Sequence, residues 1–296
     1  MDFESLKKSS SNFDAITKAL ETKMTPENQQ SNNKYQDDRL WKPELDKTGN
    51  GYAVLRFLPA SNGEEMPWQR VWTHAFQDKG GWFIENSLTT LNQKDPVSEE
   101  NTRLWNTGID SDKDIARKRK RKLSYYANIY VVSDPKHPEN EGQVKLYKFG
   151  KKIFDKITEA MQPAFEDEQA INPFDFWKGA NFKLKIRKVD GYWNYDKSEF
   201  EAVSPIAESD EKIKAVWALQ HPLKPFLDPS NFKTYDELKE KLNRVITGTQ
   251  STATVDSVDL PPQTTTAVEM PKVSESAPAS EDDDTLSYFS KLADED

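Results

Sequence analysis

Apolar and polar positions alternate with a period of two in short runs along the middle of the chain. A helical period is confined to a few stretches. Tyr52 to Leu58, after the Gly49-Asn50-Gly51 turn and before Pro59, reads as a strand in which Arg56 interrupts an apolar run. Trp68 to Phe76 alternates, placing Trp68, Arg70, Trp72, His74 and Phe76 on one face, and Asp78-Lys79-Gly80-Gly81 turns the chain into Trp82-Phe83-Ile84. Further strands are predicted over Tyr125 to Val132, Val144 to Phe149 and Phe182 to Arg187. In the last, Phe182, Leu184 and Ile186 face inward and Lys183, Lys185 and Arg187 outward. For Trp41, Phe57, Trp72, Phe83 and Phe182 the packing role is preferred, because strand aromatics chiefly fill cores.

Helical spacing is predicted for Ile153, Phe154, Ile157 and Met161, for about Asp210 to Gln220, and for Thr234 to Thr247. The last has a Thr234/Glu237 capping box, a Leu238, Leu242, Val245 stripe and Gly248 at its end. Asn86 to about Ile115 shows little periodicity and is expected to be loop with short helical pieces. Near the N-terminus Phe13, Ile16 and Leu20 fit one face of a short helix. A polar linker over residues 26–33 separates it from the body and suggests a docking arm.

Charge changes this picture in two places. The 296 residues carry a formal net charge of -9, yet from Thr249 onward eleven acidic residues stand against Lys272 and Lys291, so the body is neutral and the whole excess lies in the last 48 residues. Residues 249–280 are rich in Thr, Ser, Ala, Val and Pro and read as a linker. Beyond them Asp282, Asp283, Asp284, Leu286 and Phe289 form an acidic segment with interspersed apolar residues. Such a segment either folds on a partner's basic groove or only solvates.

The second place is Arg117-Lys118-Arg119-Lys120-Arg121-Lys122, six consecutive cations that lead into a strand bearing Tyr125 and Tyr126. Cations beside ring faces suit the phosphates and unstacked bases of a single strand. Lys120, Arg121 and Lys122 read as one wall of a cleft. Arg117, Lys118 and Arg119 are expected to steer a strand from a surface loop and to receive the acidic tail. Other basic and aromatic positions recur nearby: Arg56; Lys145, Tyr147 and Lys148; Lys151 and Lys152; Lys185 with Tyr192, Trp193 and Tyr195. A β-barrel of the oligonucleotide-binding kind would gather them along one cleft.

Other function classes find less support. Cysteine is absent, which removes disulfides, thiolate metal sites and thiol nucleophiles, and the three histidines are His74, His137 and His221. No Walker motif, GxGxxG or HExxH occurs, and the acidic residues are scattered or in the tail, so a nucleic-acid-processing enzyme is the weaker alternative. A protein-interaction adaptor is the other, against which the six-cation run argues. No apolar stretch reaches the roughly 20 residues that span a bilayer, and no secretory signal is seen.

The segments Gly49 to Pro59, Ser124 to Ile129, Glu139-Asn140-Glu141-Gly142, Phe149 to Ile157 and Asn194-Tyr195-Asp196 resemble the single-stranded DNA-binding (helix-destabilising) proteins of T-even-type tailed bacteriophages. The resemblance implies a mixed β/α chain: an OB-fold β-barrel core with peripheral helices, a flexible N-terminal arm and a disordered acidic C-terminal tail. It implies an arm over residues 1–25, in which Lys7-Lys8-Ser9-Ser10 match a basic-hydroxyl motif for cooperative self-association. It implies a DNA-binding core over residues 34–248, with Arg56, Lys120, Arg121, Lys122, Tyr125, Tyr126, Tyr147, Tyr192 and Tyr195 at positions like those lining the family's cleft. It implies a tail over residues 249–296 that covers the cleft in the absence of DNA and recruits phage replication, recombination and repair proteins such as polymerase, helicase loader and recombination mediator. The setting would be the cytoplasm of the infected bacterial host.

One departure is large. Members of the family bind a structural zinc through one histidine and three cysteines in the subdomain matching about residues 68–116. Here His74 matches the histidine, Ser87 stands at the first cysteine position and no cysteine follows. A tetrahedral site cannot be rebuilt from His74 alone. No cofactor is expected, and the subdomain is expected either to be held by packing of Trp82, Leu88, Leu91 and Leu104 or to be locally less stable.

Overall fold

A computed structural model describes residues 37–165, 167–189 and 191–248. The predicted arm and acidic tail lie outside them.

The described residues form a mixed α/β fold on one nine-stranded sheet that does not close. The strands are β1 (Leu40–Trp41), β2 (Gly51–Phe57), β3 (Trp68–Asp78), β4 (Gly81–Asn86), β5 (Lys122–Ser133), β6 (Val144–Phe149), β7 (Phe182–Val189), β8 (Tyr192–Asn194) and β9 (Glu199–Phe200). Five α-helices accompany them: α1 (Pro96–Asn106), α2 (Asp110–Lys118), α3 (Lys151–Met161), α4 (Asp210–Ala218) and α5 (Tyr235–Thr247). The path runs β1-β6-β5-β2-β7-β8, with β3 joined to β5, β4 to β3 and β9 to β7.

β5 organises the sheet because its twelve residues are long enough to serve three neighbours. Its first half pairs antiparallel with β3, its second half with β2, and β6 lies along its other edge. Alternation along β5 sends Tyr125, Ala127, Ile129 and Val131 into the main core. There they meet Leu55, Phe57, Trp68, Phe149, Phe182, Leu184 and the Ile153, Ile157, Met161 stripe of α3.

A second core, separate from the first, joins Phe76 and Phe83 of the β3–β4 hairpin to Leu88, Leu91 and Val97 and to Leu238, Leu242 and Val245 of α5. The hairpin turn meets α5 without intervening side chains. A Cβ on Gly80 would stand 2.2 Å from the Arg244 carbonyl oxygen, and the Gly80 N–H donates to the Val245 carbonyl at 2.7 Å. The Thr234/Glu237 capping box opens α5 as predicted, and Gly248, with φ of 72°, closes it in the left-handed region.

The structure changes three expectations. Residues 86–115 are largely ordered helix rather than loop. Asp95 caps α1 by accepting from the Ser98 N–H, Pro96 occupies its first turn, and α2 follows after Gly108. Their periodicity is weak because α1 buries only Pro96, Val97 and Leu104, and α2 only Ala116. Trp82 is 58% exposed, since β4 alternation that buries Phe83 turns Trp82 and Ile84 outward; Leu88, Leu91 and Leu104 are buried as expected. Trp72 is half-buried rather than core, while Trp41, Phe57, Phe83 and Phe182 are fully enclosed.

Candidate nucleic-acid interface

On the face of β3 and β5 that forms the main core, Trp68 lies opposite Ala127 and Arg70 opposite Tyr125, followed by Trp72 opposite Leu123. Directly opposed residues project to the same side of a sheet, so this row leaves the core at Trp68 and reaches solvent at Arg70 and Trp72. The Arg121 guanidinium lies 4.3 Å from the Trp72 ring centroid, a cation–π contact that presents a planar cation at the rim. Burial lowers the Arg121 pKa, opposed by the charge of Asp95.

Phe154 of α3 stacks on Tyr125 at 3.9 Å with its plane 6° away and meets Trp68 edge-on at 5.3 Å. This wedge fixes the N-terminus of α3 beside the same row, and with it the exposed Lys151 and Lys152. Lys151 also pairs with Asp155 one turn on, at 2.8 Å, a bond of small worth in water. Tyr195 packs half-buried against the main core. Burial raises its phenol pKa and the nearby Lys152 opposes that rise. Arg70, Trp72, Arg121, Lys152 and Tyr195 thus combine cations with accessible ring surface on one margin of the core. Arg70 and Trp72 were not singled out as site residues from the sequence; the signal available was their alternation with Trp68 in β3.

The remaining predicted residues divide. Arg56 is completely buried: Nη2 donates to the carbonyls of Asp175 at 3.0 Å and Ser204 at 2.7 Å, and Nη1 reaches Asn181 Oδ1 at 3.4 Å. It ties the turns before β7, at Asp175 and Asn181, and the stretch after β9, at Ser204, to β2 and offers nothing to a ligand. Desolvation brings its pKa down to about 10, with Asp175 opposing. Tyr125 and Tyr147 are core residues. Burial pushes the Tyr125 phenol up to about 12 and Tyr147 further in the same direction. These three positions are corrected from cleft to core.

Tyr126 lies on the opposite face of β5 from Tyr125, as the pleat requires. It stacks on Phe226 at 4.2 Å with Lys148 Nζ 5.6 Å from its ring, and alternation puts Lys122 on that face too. Lys185 pairs with Glu199 at 2.7 Å. Tyr192 and Trp193 are exposed on the β7–β8 hairpin, where Trp193 packs beside the Gly49 turn. The six-cation run is likewise not one surface. Arg117 and Lys118 form the last turn of α2, with Arg117 paired to Asp114 at 2.5 Å, and Arg119 is buried against Asp78 at 2.5 Å, so the expected steering loop does not exist.

His74 tests the zinc expectation. Its Nδ1 lies 3.0 Å from the Arg119 carbonyl oxygen and its Nε2 3.1 Å from Asp95 Oδ1, so both ring nitrogens face protein oxygens rather than an open coordination position. Among the described residues no group of three or more His, Cys, Asp or Glu is placed to hold a metal ion. The residues present do not fit the family's zinc. Burial by itself would raise the Asp95 carboxyl, yet hydrogen bonds from His74, the Ser98 N–H and Ser87 hold it well below the usual carboxylate range.

A mixed α/β chain with a cationic and aromatic margin along two antiparallel strands defines the class: a protein built to hold an anionic polymer with stackable rings. Comparison with known proteins narrows this. The family model described as gp32 DNA binding protein like matches residues 49–246, and the chain belongs to that family. Proteins named single-stranded DNA-binding protein from Enterobacteria phage T2 and Enterobacteria phage T4 are each 40% identical to it over 220 residues, spanning 71% of this chain and 71% of each relative.

Proposed function

We propose that the chain binds single-stranded DNA without regard to sequence, coating and protecting it during phage DNA replication, recombination and repair. The observation that carries the reading is the Arg121 guanidinium over the half-buried Trp72 indole, with the exposed Arg70 on the same strand as Trp72, in a chain of this family. Cations neutralise phosphates while ring faces accept any base, since every base has a π-face. Binding, with no bond made or broken, is the whole of the proposed activity.

The sheet is read as an oligonucleotide-binding barrel in opened form. Supporting this, β5 hydrogen-bonds to β2, β3 and β6 and one core draws on residues of all four strands. Residues 34–248 form the binding core, with the strand crossing the Trp72–Arg121 rim toward Lys152 and Tyr195. Residues 1–25 are assigned to cooperative self-association through Lys7, Lys8, Ser9 and Ser10. Residues 249–296 are assigned to recruitment of phage replication, recombination and repair proteins through Asp282, Asp283, Asp284, Leu286 and Phe289, in the cytoplasm of the infected host. No helix among the described residues is long and apolar enough to cross a membrane.

Fluorescence titration of the full chain with oligo-dT, oligo-rU and duplex DNA across a salt series tests the reading. Arg70, Arg121, Lys151 and Lys152 would give a log K against log salt slope near -3, from about 0.7 per phosphate on a single strand. Duplex should bind far more weakly than oligo-dT. Equal affinity for duplex, or none for oligo-dT, refutes it.

Two deletions test the outlying parts. Removing residues 249–296 is expected to tighten binding most at low salt, because competition between an acidic tail and DNA is electrostatic; unchanged affinity rejects that competition. Removing residues 1–20 is expected to abolish cooperativity on long strands while a short oligonucleotide binds almost as before. Equal loss on both contradicts the assignment.

A further inference from the structure

We propose that a buried network centred on Asp95 does the work of a structural metal centre in this chain and, through the Arg119 carbonyl, positions the start of β5 for strand binding. The second half of this inference rests on the strand-binding reading above.

A structural metal in a small subdomain ties chain segments that have too little apolar surface to hold one another. α1 and α2 are such segments, burying four side chains between them. Here the Asp95 carboxylate accepts four hydrogen bonds: from His74 Nε2 at 3.1 Å, the Ser98 N–H at 2.9 Å, the Ser87 hydroxyl at 2.9 Å and the Leu88 N–H at 3.1 Å. It therefore joins β3, the turn at Ser87 and Leu88, and the N-terminus of α1. Ser87, His74 and Asp95 are all at most 1% exposed, so these charge-assisted bonds act where water does not compete.

His74 passes the connection on. Its Nδ1 holds the Arg119 carbonyl at the end of α2, while the Arg119 side chain folds back onto Asp78 and over the Phe76 ring. The chain is thus fixed two residues before Arg121, whose guanidinium must reach Trp72, and three before β5 begins. Asp95 and His74 are positioning residues in this account. Neither touches the strand.

The full chain is the material for the test. Metal analysis should find zinc well below one per chain, and 1,10-phenanthroline should leave the unfolding temperature unchanged. Asp95→Asn should lower that temperature by about 5 °C or more, on the scale of a few degrees per lost interaction in a domain this size, and speed amide exchange across residues 96–118 at least tenfold. Should Asp95→Asn fail to fold, Ser87→Ala, which removes one of the four bonds, carries the same comparisons. Stoichiometric zinc whose removal unfolds the subdomain, or variants as stable as the parent, would overturn the metal replacement.

Positioning is read from salt dependence. Asp95→Asn, measured where it is folded, should flatten the oligo-dT slope by about 0.7–1.4, the equivalent of one or two phosphate contacts. Val97→Ala, an apolar truncation in the same subdomain, should lower stability and leave the slope alone. Parent slope in both variants overturns positioning and leaves a purely structural network. Failure of the parent chain to bind oligo-dT refutes the strand-binding reading and with it the positioning half, while the metal and stability measurements decide the first half independently.

Discussion

Replacing Arg56 with Ala is expected to cost roughly 3–5 kcal/mol of folding stability while leaving oligo-dT affinity near the parent value in whatever fraction remains folded. That cost follows from two or three buried or part-buried acceptors orphaned at about 1–3 kcal/mol each, less some relaxation. Those acceptors are the Asp175 and Ser204 carbonyls and Asn181 Oδ1, held by a side chain with no exposed surface. Room for repair is small: a Cβ on Gly179 would stand 2.3 Å from the Asp175 carbonyl oxygen and 3.0 Å from Arg56 Nη2. Urea unfolding of Arg56→Ala and Arg56→Met gives the measurement. A normal midpoint with lost DNA binding would return Arg56 to the cleft.

The second large effect falls on the rim. Trp72→Ala should weaken oligo-dT binding by about 1–3 kcal/mol, roughly 5- to 150-fold, if one base stacks there. Arg121→Ala should also flatten the salt slope by about 0.7, the signature of one lost phosphate contact. Because the guanidinium sits on the indole, the two losses should not add: the double variant is expected to fall short of the sum by at least about 0.5 kcal/mol. Additive losses would mean that the two residues contact the strand separately. Neither change should greatly alter stability, since Trp72 belongs to none of the three hydrophobic core clusters.

Much of the sheet was legible in the sequence, because a strand buried on one face writes its register as alternation. The β3 and β7 patterns, the α3 stripe and the α5 capping box all appear where the residues put them. α1 and α2 were not legible, since α1 is held by the Asp95 cap and buries three side chains, α2 buries only Ala116, and neither carries much apolar periodicity. Site residues were harder for a related reason. Charge identifies a side chain that prefers water or a counter-ion, and Arg56 shows that backbone carbonyls can satisfy it as well as phosphates. Likewise Tyr125 and Tyr126 are adjacent in sequence, yet the pleat commits one to the core and the other to the opposite face against Phe226.

That a strand crosses the Trp72–Arg121 rim toward Lys152 and Tyr195 is most directly tested by ultraviolet crosslinking of oligo-dT to the full chain, followed by peptide mapping. The predicted adducts lie on Trp72 and Tyr195, with none on the buried Tyr125 or Tyr147. Adducts confined to Trp82, Tyr192 or Trp193 would contradict it.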